Sequence, residues 1–226
     1  MSENPGPSKT ISITLVDDHQ VLTDALTAIL RSEPDLQVVE VAGTCAAARA
    51  SLARTCPNVL LLDVSLPDGD GLSLVPEFNR VCPSTSILVL TSFSDEKTLV
   101  RAIENGVNGF VSKERSLSEV ITAIRQAAED EIVMPATLLI GVLRRSLRAH
   151  LKHPAQTSRG LLTPREQEIL VYLARGKSVP DIAAELSIAP LTVRTHINNL
   201  MQKLDVHSRL EAVSHALRHR LIDLPV

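Results

Sequence analysis

The sequence predicts an α/β domain built on a parallel sheet, followed by a smaller all-helical domain. Three observations carry this. Across residues 11–130, short aliphatic runs alternate with stretches of helical periodicity, which is how βαβ units read. Within them lies Asn58-Val-Leu-Leu-Leu-Asp63-Val-Ser65-Leu-Pro67-Asp-Gly-Asp-Gly71. Its unbroken apolar run into one carboxylate is the pattern of a strand covered on both faces of a sheet. Residues 161–226 show helical periodicity and helix caps but no strand pattern.

Taken in order, Ile11 to Val16 is a β-type run ending in Asp17-Asp18. Leu22, Ala25, Leu26, Ile29 and Leu30 recur at helical spacing. Val38, Val39 and Val41 make a second strand, and Ala46 to Leu52 an alanine-rich helix. The third strand ends at Asp63, because Pro67 and the glycines after it are turn residues. A weaker helix over Leu72 to Val81 closes at Pro83. Ile87 to Leu90 is a fourth strand, running into Thr91. Asp95 to Asn105 is helical and stops at Gly106. Phe110-Val111 is a short fifth strand followed by Lys113, and Leu117 to Ala128 is the last helix of the set.

Parallel strands deliver their carboxyl ends to one edge, where ligands bind in open α/β sheets. Asp17, Asp18, Asp63, Thr91 and Lys113 therefore converge. Taken singly, the acidic pair could cap a helix and Lys113 could be a surface lysine. Together, three carboxylates repel unless a hard cation neutralises them, and carboxylate oxygens suit Mg²⁺. A carboxylate in that setting can attack an electrophilic phosphorus and form an aspartyl phosphate. The ammonium would neutralise the transferred oxygens and the hydroxyl could hydrogen-bond to one of them.

These residues resemble the receiver domain of two-component response regulators. The match rests on Asp17-Asp18, on Asp63 before Leu66-Pro67 and Asp70-Gly71, and on Thr91, Phe110 and Lys113. The resemblance implies a flavodoxin-like (βα)5 fold over 11–130 and phosphotransfer from a sensor histidine kinase to Asp63. It implies Mg²⁺ held by Asp17, Asp18, Asp63 and the backbone carbonyl of Ser65. Thr91 and Phe110 would be the switch pair, altering the face of the fourth helix, fifth strand and fifth helix. Ser65 and Phe93 stand where the family governs access of hydrolytic water. Thr23 departs from the family, which often carries Arg there.

Residues 1–10 read as a polar lead-in and 131–160 as a linker containing a basic helix, Leu138 to Leu151. The output domain, 161–226, opens with a capping box, Thr163 and Glu166 around Pro164. Ser178 caps a short second helix, Pro180 to Leu186. Pro190 opens a third, in which Val193, Ile197, Leu200 and Leu204 form one apolar stripe. Arg194, Thr195, Asn198 and Gln202 point the other way and include no carboxylate. Arg pairs with guanine and Asn with adenine in the major groove, and a helix–turn–helix presents such a face to DNA. A plain solvent face is the competing explanation. Lys203 is the expected phosphate contact. Ser208 and Glu211 form another expected capping box, and Leu210, Val213 and Leu217 on the helix after it are expected to dimerise.

Leu162-Thr-Pro-Arg-Glu166, Gly176, Ile182-Ala183, Leu186, Thr192-Val193-Arg194, Lys203-Leu204 and Ser208-Arg209 resemble the LuxR-type helix–turn–helix. With the receiver, the chain resembles the NarL/FixJ class of transcriptional regulators, which implies a homodimer on double-stranded promoter DNA. Val179-Pro180 and Ala189 depart from the family. At Ala189 a Ser or Thr cap is usual, and its loss costs about 1 kcal/mol.

Charge separates the two bodies. Residues 1–131 carry 10 basic against 19 acidic side chains, net −9; residues 132–160 carry 5 basic and none acidic. Residues 161–226 carry 8 against 7, net +1, so non-specific attraction to DNA is small. Trp is absent and Tyr172 is the one tyrosine, which excludes aromatic stacking as a main binding device. No apolar run approaches the roughly 20 residues that span a membrane. Cys45, Cys56 and Cys82, odd in number, read as reduced thiols in the cytoplasm. The chain is read as a regulator and not an enzyme. A metal-dependent phosphatase would need a second carboxylate two positions after Asp63, where Ser65 stands. A regulator working without phosphorylation is the other alternative.

Overall fold

The computed structural model describes residues 10–52, 54–91, 96–134, 162–219 and 221–222. The linker helix expected at 138–151, the lead-in up to residue 9 and Phe93 lie outside these residues. The chain divides into two compact units: Met1–Ser92 with Val111–Glu129, and Phe93–Phe110 with Asp130–Val226.

The elements of the α/β part are β1 (Ile11–Val16), α1 (Gln20–Leu30), β2 (Leu36–Ala42), α2 (Cys45–Leu52) and β3 (Val59–Asp63). After them come β4 (Ser65–Leu66), β5 (Gly69–Asp70), α3 (Val75–Val81), β6 (Ser86–Thr91), α4 (Glu96–Glu104), β7 (Gly109–Ser112) and α5 (Leu117–Ala128). The sheet runs β2-β1-β3-β6-β7, and β1 pairs parallel with both β2 and β3, as β3 does with β6. This is the flavodoxin-like order expected. β3 sits at the centre and all five of its residues are buried. Its apolar run is thereby explained, since a strand covered on both faces has no polar side to alternate with. Truncating Leu61 to Ala would cost on the order of 2–5 kcal/mol through lost burial and a residual cavity. The antiparallel pair β4–β5 and a 3-10 turn over Gly71–Leu74 replace the start of the helix expected from Leu72. Asp70 explains that start: its side chain accepts the Leu72 N–H at 3.0 Å.

The cysteine expectation is corrected. Cys56 and Cys82 are joined by a disulfide, with Cα atoms 5.4 Å apart, and Cys45 is free and buried. A count of three says nothing about which loops the sheet brings together. Cys56 precedes β3 and Cys82 precedes β6, and those strands are parallel neighbours.

Among its described residues the second unit contains α4 and the further helices α6 (Pro164–Ala174), α7 (Val179–Leu186), α8 (Pro190–Leu204) and α9 (Arg209–Arg218). Thr163 and Glu166 close the predicted capping box on α6, and Ser178 with Asp181 closes one on α7. α7 ends on Ser187 and α8 on Asp205, both with left-handed backbones (φ 52° and 54°), which set the tight turns of the bundle. The box expected at Ser208 is half formed. Ser208 Oγ accepts the Glu211 N–H at 3.1 Å, but the Glu211 carboxylate takes the N–H of His207 instead. Within this unit α9 also meets α4: Ser208 Oγ donates to the Val107 carbonyl at 2.8 Å, and Arg218 pairs with Glu104 at 2.8 Å.

Candidate functional site

The carboxyl ends of the strands carry the chemistry. Asp17 follows β1, and its N–H donates to the Ala42 carbonyl at 3.0 Å, extending the ladder one residue past the strand. Asp63 closes β3. Both are nearly covered, 3% and 5% exposed, while Asp18 is exposed. The turn after Asp63 folds back so tightly that a Cβ at Gly71 would collide with the Asp63 carbonyl oxygen, so only glycine fits. Lys113 follows β7, and its N–H donates to the Thr91 carbonyl at 3.1 Å.

Lys113 Nζ donates to Asp63 Oδ2 at 2.7 Å and lies 2.8 Å from Asp17 Oδ2. Burial alone would lower the lysine pKa, but the Asp17 and Asp63 carboxylates beside it outweigh that and hold the ammonium above its usual range. Asp17 Oδ2 is buried and takes no directed hydrogen bond despite the ammonium beside it. Asp17, Asp18, His19 and Asp63 each offer one ligand atom, and these atoms lie within 4.8 Å of one another. Two carboxylates thus contact one ammonium, with Asp18 and His19 in the same cluster.

His19 was missed by sequence reasoning. Its Nδ1 is 2.9 Å from Asp17 Oδ1 and 3.1 Å from Asp18 Oδ1. Its place directly after the acidic pair was the available signal. Thr91 joins the group through its backbone bond to Lys113. Ser65 is exposed and pairs with Asp70 across β4–β5, and Phe110 is 2% exposed on β7.

In the helical unit the predicted stripe faces the core: Val193, Ile197 and Leu200 are fully buried and Leu204 nearly so. Thr195, Asn198 and Gln202 are exposed on the other side of α8, with Arg194 half-buried. Leu191 stands 75% exposed near the start of α8, an apolar side chain that a pattern of polar readers does not reveal. Lys203 is not a free surface lysine. Its ammonium donates to both oxygens of Glu166, at 2.9 and 2.7 Å. Burial raises the Glu166 pKa, but Lys203 and the Thr163 cap outweigh that and keep it below its ordinary value. Leu210, Val213 and Leu217 are buried, so in this structure the expected dimer stripe faces inward. Packing of α9 on α6, α8 and α4 is the reason.

Among the described residues no helix is long and apolar enough to cross a membrane. Residues 13–125 match the response regulator receiver domain, and residues 160–216 match the bacterial regulatory proteins of the luxR family. The response regulator protein VraR of Staphylococcus aureus is 32% identical over 213 residues, covering 94% of this chain and 99% of that protein. VraR of Staphylococcus epidermidis is 32% identical over 212 residues, covering 94% of this chain and 99% of that protein. Among solved structures, RcsB of Salmonella typhimurium has a TM-score of 0.55 at 23% identity, over 92% of this chain and 98% of that one. A structure of two RcsB dimers bound to two parallel DNAs has a TM-score of 0.54 at 23% identity, over 93% of this chain and 99% of that one. At that identity the likeness speaks for the fold.

Proposed function

This chain belongs to the response regulators that join a receiver domain to a LuxR-type DNA-binding domain, and we propose that its Asp63 takes a phosphoryl group from a sensor histidine kinase to control dimerisation and promoter binding. The observation that carries the reading is the Asp63 carboxylate, 2.7 Å from Lys113 Nζ and within one 4.8 Å cluster with Asp17 and Asp18.

The residues fit a hard divalent cation. The set is rich in carboxylate oxygen, and Asp17 Oδ2 is buried without a directed hydrogen bond. Asp17, Asp18, Asp63 and the Ser65 carbonyl would hold Mg²⁺, which when bound neutralises charge on the transferred group. An Asp63 oxygen attacks phosphorus, the bond to the kinase histidine breaks, and Lys113 neutralises a phosphoryl oxygen. The Thr91 hydroxyl bonds another, and Thr91 and Phe110 relay the change. The chain promotes only its own phosphorylation and dephosphorylation and works in the cytoplasm.

On DNA, Arg194, Thr195 and Asn198 read base edges and Lys203 contacts the phosphate backbone with the donor not committed to Glu166. Two copies pair on DNA through a surface other than the Leu210, Val213 and Leu217 stripe, which is buried against α4, α6 and α8. The test is phosphorylation of the full chain by acetyl phosphate with and without Mg²⁺, followed by mass, oligomer and DNA-binding measurements. One added phosphoryl group, dependent on Mg²⁺ and accompanied by dimer formation, is expected. A monomer unchanged in DNA affinity after full phosphorylation would overturn the regulatory part.

A further inference from the structure

The disulfide between Cys56 and Cys82 lies outside the acidic site. Cys56 is exposed, in the segment leading into β3; Cys82 is 2% exposed, at the end of α3. The two sulfurs are therefore unequal. Cys56, the exposed partner, is the one an incoming thiolate would attack.

The loops that carry them are also tied without the bond. Thr85 Oγ1 donates to the Pro57 carbonyl at 2.6 Å, and Ser86 N–H donates to the Asn58 carbonyl at 2.9 Å. From there β3 and β6 run in register, Val59 opposite Ser86. These contacts hold the two cysteines close when the bond is open, so closure is intramolecular and needs no refolding. Cys45 cannot substitute for either partner. It is 3% exposed, and burial, with Asp68 beside it, pushes its thiol pKa up, so it stays protonated and unreactive.

We propose that Cys56 and Cys82 form a reversible dithiol–disulfide couple that exchanges with low-molecular-weight thiols. The proposed cytoplasmic setting matters here, because disulfides that occur in that compartment are commonly transient or redox-sensing. A thiolate attacks Cys56 Sγ, the Cys56–Cys82 bond breaks, and Cys82 leaves as thiolate and takes a proton. A second thiolate attacks the outer sulfur of the mixed disulfide and releases Cys56. The protein disulfide and two small thiols become the protein dithiol and one small disulfide. Oxidation closes a loop with a sequence separation of 26 that contains β3, Asp63 and α3. It fastens the end of the sheet opposite to Asp63, so it sets how firmly the receiver is held and leaves the phosphoacceptor accessible.

The experiment uses the full chain in glutathione buffers. After equilibration with glutathione disulfide, denaturation and alkylation should find one thiol, Cys45; after equilibration of the folded protein with millimolar reduced glutathione, three. The oxidised form should melt roughly 5 °C or more above the reduced form. That gap should vanish in Cys56→Ser and persist in Cys45→Ser. Three thiols in the oxidising buffer would overturn the couple. So would a bond that survives reduced glutathione in the folded protein, or a redox-dependent melting point that persists in Cys56→Ser. Labelling by acetyl phosphate is measured in both forms; its loss in both counts against Asp63 as acceptor and leaves the couple standing.

Discussion

Each unit of the molecule contains a lysine bonded at 2.7 Å to a buried carboxylate, and the two pairs do different things. Lys113 meets Asp63 where strands end, with Asp17 and Asp18 beside them. Lys203, exposed at the surface of the helical bundle, meets the buried Glu166, which also accepts the Thr163 N–H at 2.7 Å. In the second pair every demand is met: one anion, one cation, one helix cap. That pair staples the start of α6 to the end of α8. In the first, charge is left over, and the surplus makes the place a site rather than a strut. Distance alone would not tell them apart; the local charge balance does.

The largest expected effect is on labelling. Asp63→Asn should abolish phosphorylation by acetyl phosphate, read by intact mass. It should not lower the melting temperature, because it removes one of three mutually repelling carboxylates. Undiminished labelling would reassign the acceptor, and a marked loss of stability would make the first pair a strut as well.

Lys203→Met should do the reverse. It leaves Glu166 buried without its cation, and the expected cost is about 2 kcal/mol of unfolding free energy, with labelling unchanged. The sign with pH follows from the lowered Glu166 pKa. The pair's stabilisation is full above the unfolded value of 4.5 and is lost as pH falls through the folded value. The gap between wild type and Lys203→Met in denaturant titrations should therefore close in acid. A gap independent of pH would mean that the lysine acts by packing. The same variant should bind DNA with a salt slope shallower by up to about one unit if Lys203 also touches phosphate.

A separate pH effect comes from α9. Burial, with His219 and Arg218 nearby, pushes the His215 pKa from 6.5 down to about 4. Between those values the unfolded chain binds a proton that the folded chain refuses, so stability falls as pH drops from 6.5 towards 4. His215→Asn should flatten that slope in melts followed by circular dichroism; an unchanged slope would assign it to other groups.

The smallest effect concerns the start of α8. Ala189 has an extended backbone (φ −68°, ψ 144°) and makes no side-chain cap. Ala189→Ser should add up to about 1 kcal/mol to the stability of the helical unit without changing Asp63 labelling. Thermal melts of the two proteins would show it, and an unchanged midpoint would mean that Pro190 already sets the start of the helix.

Much of this was legible in the sequence. The apolar run before Asp63 requires a central, doubly covered strand, and the alternation around it requires parallel neighbours whose carboxyl ends share an edge. That places Asp17, Asp18, Asp63 and Lys113 together from the sequence alone, because strand polarity is a one-dimensional property of the chain. The stripe of α8 was legible for the same reason, as helical periodicity needs only local spacing. What tertiary structure decided is which side chains meet across elements far apart in the chain. Lys203 looked free until α8 packed on α6 and brought Glu166 to it. Leu210, Val213 and Leu217 looked available until α4, α6 and α8 covered α9. Cys56 and Cys82 looked unrelated until β3 and β6 paired. Periodicity tells which face of an element is apolar, but not what covers it; that is set by packing many residues at once.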